Sequence, residues 1–121
     1  MSHEKMTNSD LIGSDRVEGT AVYGASGDKI GTVERVLIEK RSGQARDVEI
    51  SVGSFLGMGG ELHNLPWEKF EYNTELEGYQ LDVTEEQLKD APTYKDSERD
   101  TAYNRDYQAQ SYEYWAVAPY W

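Results

Sequence analysis

Between Asp47 and Val52, polar and apolar side chains alternate without a break. Asp47, Glu49 and Ser51 fall on one side, and Val48, Ile50 and Val52 on the other. A period of two belongs to a β-strand, whose successive side chains point to opposite faces of a sheet. Such a strand cannot stand alone. Its apolar face has to be covered, and its backbone groups need ladder partners.

Neighbouring segments supply those partners. Lys29 to Lys40 carries Ile30, Val33, Val36 and Ile38, a spacing that a helix would also tolerate. Its β-branched residues and flanking turns favour a strand with a bulge near Glu34 and Arg35, which resets the alternation. Arg41-Ser42-Gly43-Gln44 is the turn that joins it to the alternating strand. Thr20 to Tyr23 forms a first short strand, followed by a Gly24-Ala25-Ser26-Gly27-Asp28 turn. Downstream come the glycine-rich stretch Gly53 to Gly60, a strand from Glu61 to Leu65 closed by Pro66-Trp67, and a hairpin of Phe70–Tyr72 with Tyr79–Val83. Thr84-Glu85-Glu86-Gln87 matches a capping box at the start of a brief helix, with Leu88 as its anchor and Pro92 as its stop. Six short strands and one small helix predict a mainly β fold, a small six-stranded barrel. The chain divides into a polar leader (residues 1–10), a barrel domain (11–94) and an aromatic, partly helical tail (95–121).

The bulk numbers exclude several functions. Acidic residues number 23 and basic ones 12, a net charge of −11. That field repels a phosphate backbone, which argues against direct nucleic-acid binding. No cysteine is present, so disulfides, thiol catalysis and cysteine-ligated metals are ruled out. No apolar run approaches the roughly 18 residues of a membrane span, and the leader has no apolar signal core. A cytoplasmic location is the resulting expectation.

Catalytic patterns fail one by one. His3 and His63 are the only histidines, and neither has a ligand partner at metal-binding spacing. His63 is expected to be a hydrogen-bonded residue of a strand face. The acidic pairs Glu75/Glu77 and Glu85/Glu86, and the run Asp96 to Asp100, fall in turns and at helix starts, where solvation and the helix dipole account for them. Ser26 has no nucleophile-elbow context, and no Lys-Ser or Lys-Thr follows the glycine-rich stretch as a phosphate loop would need. No catalytic, cofactor-binding or metal residue is therefore assigned. The chain is expected not to be an enzyme and to need no cofactor.

Two segments carry apolar groups outside the periodic strands. Phe55, Leu56 and Met58 either fold over one barrel end or form an exposed patch. The tail holds most of the tyrosines and two of the three tryptophans. Its Ser97-Glu98-Arg99-Asp100 can open a helix that lines up Tyr103, Tyr107, Gln110 and Tyr114. Tyrosine and tryptophan favour interfaces because they join a large rigid area to a polar handle. Phe55, Leu56, Met58, Tyr107, Tyr114, Trp115, Tyr120 and Trp121 are the candidate partner-binding residues. The tail docks either on its own barrel or on a second subunit, as in a homodimer.

The ordered set of Asp28-Lys29-Ile30-Gly31-Thr32-Val33-Glu34, Val36-Leu37-Ile38-Glu39, Ser42-Gly43, the alternating strand, Phe55-Leu56-Gly57 and Leu65-Pro66-Trp67 resembles the PRC-barrel family, over residues 11–94. The tail resembles the ends of stand-alone bacterial members. The resemblance implies a compact six-stranded barrel that works through protein contacts and carries no catalytic motif. The family includes the cytoplasmic domain of the photosynthetic reaction-centre H subunit and the C-terminal domain of a ribosome maturation factor. The leading expectation is a non-enzymatic protein-interaction or assembly module. The alternatives are an accessory factor of RNA or ribosome maturation acting through a protein partner, and a small-ligand or metal-binding barrel with His63 at its mouth.

Overall fold

The computed structural model describes residues 9–52 and 61–121. A short helix, α1 (Ser14–Val17), leads into strands β1 (Ala21–Tyr23), β2 (Lys29–Ile38), β3 (Ala45–Val52) and β4 (Glu61–Pro66). A 3-10 turn (Trp67–Lys69), β5 (Glu71–Asn73), β6 (Gly78–Gln80) and helix α2 (Glu85–Asp90) follow. The chain ends with β7 (Tyr94–Lys95), a 3-10 segment (Asp96–Tyr103) and helix α3 (Arg105–Tyr114).

The strands form one sheet in the order β5-β6-β1-β2-β3-β4-β7. Among the described residues only the β1–β6 pair is parallel. This corrects the expected six-stranded barrel. The described residues form seven strands, and among them β5 and β7 remain edges with no pairing between them to close a barrel. The added strand is Tyr94–Lys95, which pairs with Leu62 and Glu61 at the point where the sequence divides barrel from tail.

Local expectations hold where a specific hydrogen bond underlies them. The β2–β3 register shifts between Val33 and Arg35, the bulge that the uneven spacing called for. Thr84 accepts from the Gln87 backbone at 3.1 Å while the Gln87 side chain accepts from the Thr84 N–H at 2.8 Å, which completes the capping box. Leu88 is fully buried.

The main core lies on the face of β3 that bears Val48 and Ile50. It gathers Val22, Val33, Leu65, Leu81, Val83 and Leu88, all 2% exposed or less, and it also takes in Trp115 from beyond α3. The tail is thus part of the same hydrophobic unit as the strands. β2 and β3 approach so closely at Gly31 that an added Cβ would strike the Ser51 carbonyl oxygen. Gly31→Ala is therefore expected to lower stability by about 1–3 kcal/mol, read as a lower denaturant midpoint.

Candidate functional site

The other face of β3 differs from what its polarity predicts. Register places Asp47, Glu49 and Ser51 of β3 beside Arg35 and Leu37 of β2, and Leu62 and Asn64 of β4. Polar residues there read as a solvated face. Instead Asp47 is 1% exposed, Glu49 0% and Asn64 3%. The tail covers them.

Glu49 is the centre of the contact. Arg35, from the neighbouring strand, forks onto its carboxylate, with Nε to Oε1 at 2.9 Å and Nη2 to Oε2 at 3.1 Å. Arg99, from the 3-10 segment, donates Nη2 to Oε1 at 2.6 Å and Nε to the same oxygen at 3.2 Å. The Tyr94 hydroxyl donates to Oε2. Arg35 also donates to the Arg99 carbonyl at 3.0 Å, which ties the tail backbone to the sheet. Burial pushes the Glu49 carboxyl up, but the hydrogen bonds from Tyr94, Arg99 and Arg35 outweigh it and hold the group below its ordinary range.

Asp47 has weaker support. Its Oδ1 lies 2.6 Å from the Tyr112 hydroxyl, and Asn64 Nδ2 lies 3.5 Å from Oδ2. Burial dominates here and raises its pKa despite those two bonds. Beyond β7, helix α3 serves the free edge of β4 with side chains. The Tyr107 hydroxyl accepts from the Asn64 N–H at 3.2 Å, and Ser111 Oγ donates to the Asn64 carbonyl at 2.7 Å.

The tail helix also departs from expectation. It starts at Asn104, whose side chain accepts from the Asp106 and Tyr107 N–H groups at 2.8 and 3.2 Å, not at Ser97. The backbone at Glu98 is non-helical, which confines residues 96–103 to a kinked 3-10 path. The buried face of α3 is Tyr107, Gln108, Ser111 and Tyr112. Tyr103, Gln110 and Tyr114, which the predicted stripe joined to Tyr107, are exposed.

The candidate partner-binding residues therefore separate. Tyr107 and Trp115 turn into the chain's own interior, at 7% and 6% exposure. Tyr114 and Trp121 are exposed, and Tyr120 is half-buried. Phe55, Leu56 and Met58 lie outside the described residues. The sequence reading missed Arg35, Asp47, Glu49 and Arg99. The signal was the pairing of an acidic strand face with a tail rich in hydroxyls and holding arginine. His63 shares the inward face with Ile50, its cross-strand partner, and is 6% exposed, so it is enclosed rather than displayed at a mouth. Its Nδ1 has no hydrogen-bond partner among the described residues. Those residues contain no group of three or more metal-ligating side chains, and no helix long and apolar enough to cross a membrane.

The family model for the PRC-barrel domain matches residues 9–88. The chain belongs to the PRC-barrel domain family. No curated protein matches it. The matched region of this PRC-barrel chain ends before Tyr94, so Tyr94 and the tail groups Arg99 and Tyr112 that hold Glu49 and Asp47 all lie beyond it.

Two outcomes follow for stability. Glu49→Gln leaves two guanidiniums facing a neutral amide and is expected to cost about 2–3 kcal/mol, at the low end for a buried pair because both arginines keep some solvent. Asp47→Asn is expected to stay within about 1 kcal/mol of wild type. Tyr112 can still donate to the new amide, and the Asn64 Oδ1, unpartnered now, can turn to accept from it. Denaturant unfolding at neutral pH compares the two.

Burial lowers the His63 pKa from 6.5 to about 4. The folded chain thus refuses a proton that the unfolded chain takes up. His63 contributes stability that is full above pH 6.5 and is lost as pH falls towards 4, at up to about 1.4 kcal/mol per pH unit. His63→Gln is expected to flatten the unfolding free energy across that window.

Proposed function

We propose that this PRC-barrel protein is a non-enzymatic protein-interaction module that self-associates, with the outer rim of its C-terminal segment as the contact surface. The observation that carries the reading is the exposure of aromatic rings on that rim, each with an arginine close to it. Tyr103 is 60% exposed, with Arg35 5.5 Å from its ring centre. Trp121 is 46% exposed, with Arg105 4.0 Å from its ring centre. Tyrosine, tryptophan and arginine are the residues on which binding energy concentrates at protein interfaces.

The reading as a non-enzyme is supported by how the buried carboxylates are used. Glu49 is saturated by two guanidiniums and a phenol, and Asp47 is bonded to Tyr112. A general acid or base must reach a substrate proton, and these groups face the chain's own side chains.

Light scattering of the full chain over a wide concentration range tests the reading. A mass that rises with concentration is expected, and Tyr103→Ala or Trp121→Ala should weaken the rise. A wild-type chain that stays monomeric throughout overturns self-association.

A further inference from the structure

The rim has a receptor-like feature at the end of the chain. Arg35 and Arg99 are committed to Glu49, and Arg46 to Glu39. Arg105 has no carboxylate within ion-pair distance among the described residues. Its guanidinium is held by rings instead, 4.0 Å from the Trp121 ring centre and 5.7 Å from that of Tyr120. Arg46 lies 4.6 Å from the Tyr120 ring centre. Tyr112 packs beneath, 5.2 Å from Trp121. Asp47, whose charged form Arg105 weakly favours, is sealed in the interior and bonded to Tyr112. A stacked guanidinium has already lost much of its rotational freedom. Its outward N–H groups form a fork that matches a carboxylate. In a chain of net charge −11 this is a place where an acidic group meets attraction.

The chain also carries a group of the matching chemistry. Among the exposed large apolar side chains of the described residues, Leu76 is the one with an acid on each side, Glu75 and Glu77. These three sit in the turn between β5 and β6, and all are exposed. The turn is stiff. The Asn73 side chain accepts from the Glu75 and Leu76 N–H groups at 2.9 and 3.0 Å, and its own amide is held by Gln80 at 3.1 Å. A preformed knob loses little freedom on docking.

The geometry points to a contact between two copies of this chain. The Glu75-Leu76-Glu77 turn of one copy docks on the Arg105–Tyr120–Trp121 surface of another, with carboxylates on the guanidinium and Leu76 against the indole. This rests on the self-association proposed above and names its two surfaces. The surfaces differ, so a two-fold dimer uses the pair twice, and an unclosed arrangement grows further.

The test uses full-length chains with exposed substitutions. Trp121→Ala, Arg105→Glu, and the double variant Glu75→Arg with Glu77→Arg are each expected to weaken association about tenfold or more by sedimentation velocity, with unchanged circular dichroism. Mixing the Arg105→Glu chain with the Glu75→Arg/Glu77→Arg chain is expected to restore association between unlike copies, because each charge reversal then meets its complement. Variants that associate like wild type, or a mixture that shows no gain, overturn the pairing while leaving self-association through another surface intact. A wild-type chain that stays monomeric and binds only a free Glu-Leu-Glu peptide at Arg105 overturns the second copy as occupant.

Discussion

The Glu49 carboxylate sets the arrangement of everything around it. A carboxylate with no solvent contact is costly unless hydrogen bonds and counter-charges replace its water. Among the described residues, strands β1 to β6 offer only Arg35 for that purpose. The remaining donors, Arg99 and Tyr94, come from residues after the last helix of the family-matched region. Burying Glu49 therefore requires the tail, and the tail is placed by Glu49. An apolar contact of equal area would hold the segment with less regard to direction. A carboxylate gripped by two guanidiniums fixes register and orientation together.

The edge of β4 shows a second use of the same segment. A bare edge strand invites pairing with other chains. β7 covers only Glu61 and Leu62. Past that point the backbone of Asn64 is satisfied by Tyr107 and Ser111 from a helix, so hydroxyls stand where another strand's amides would. This explains why the tail is rich in tyrosine rather than phenylalanine. Tyr94, Tyr107 and Tyr112 each bury a ring and place its hydroxyl on a polar group of the sheet.

Much of the strand framework was legible because it rests on local rules. The strict alternation from Asp47 to Val52, the reset of phase in β2, the Thr84 to Gln87 box and the stop at Pro92 each depend on a few neighbouring residues. Alternation says that two faces differ, however, and does not say that the polar one meets water. The burial of Asp47 and Glu49 depends on Arg99, Tyr94 and Tyr112, which are 45 or more residues away in sequence, and no local pattern encodes that distance. The tail helix was misphased for a related reason. Aromatic spacing selected Tyr103, Tyr107 and Tyr114 as a stripe, but the Asn104 cap and the non-helical backbone at Glu98 shift the helix start. Burial then follows contact with β4 rather than aromatic character.

The contrast between Trp115 and Trp121 shows how one short segment serves both stability and display. Trp115 closes the main core, whereas Trp121 remains nearly half exposed. Between them Ala116 adopts a positive φ of 57°, a left-handed conformation that glycine adopts at less cost. The turn lets the Val117 N–H reach the Tyr112 carbonyl at 3.0 Å, and the last residues fold back over the Tyr112 ring. Tyr112 therefore has two roles. Its hydroxyl secures Asp47 within the sheet, and its ring supports the Tyr120 and Trp121 surface outside. A rim built on a side chain that is itself locked from below has little freedom to lose, which is the condition that the proposed self-association through a small aromatic and arginine cluster requires.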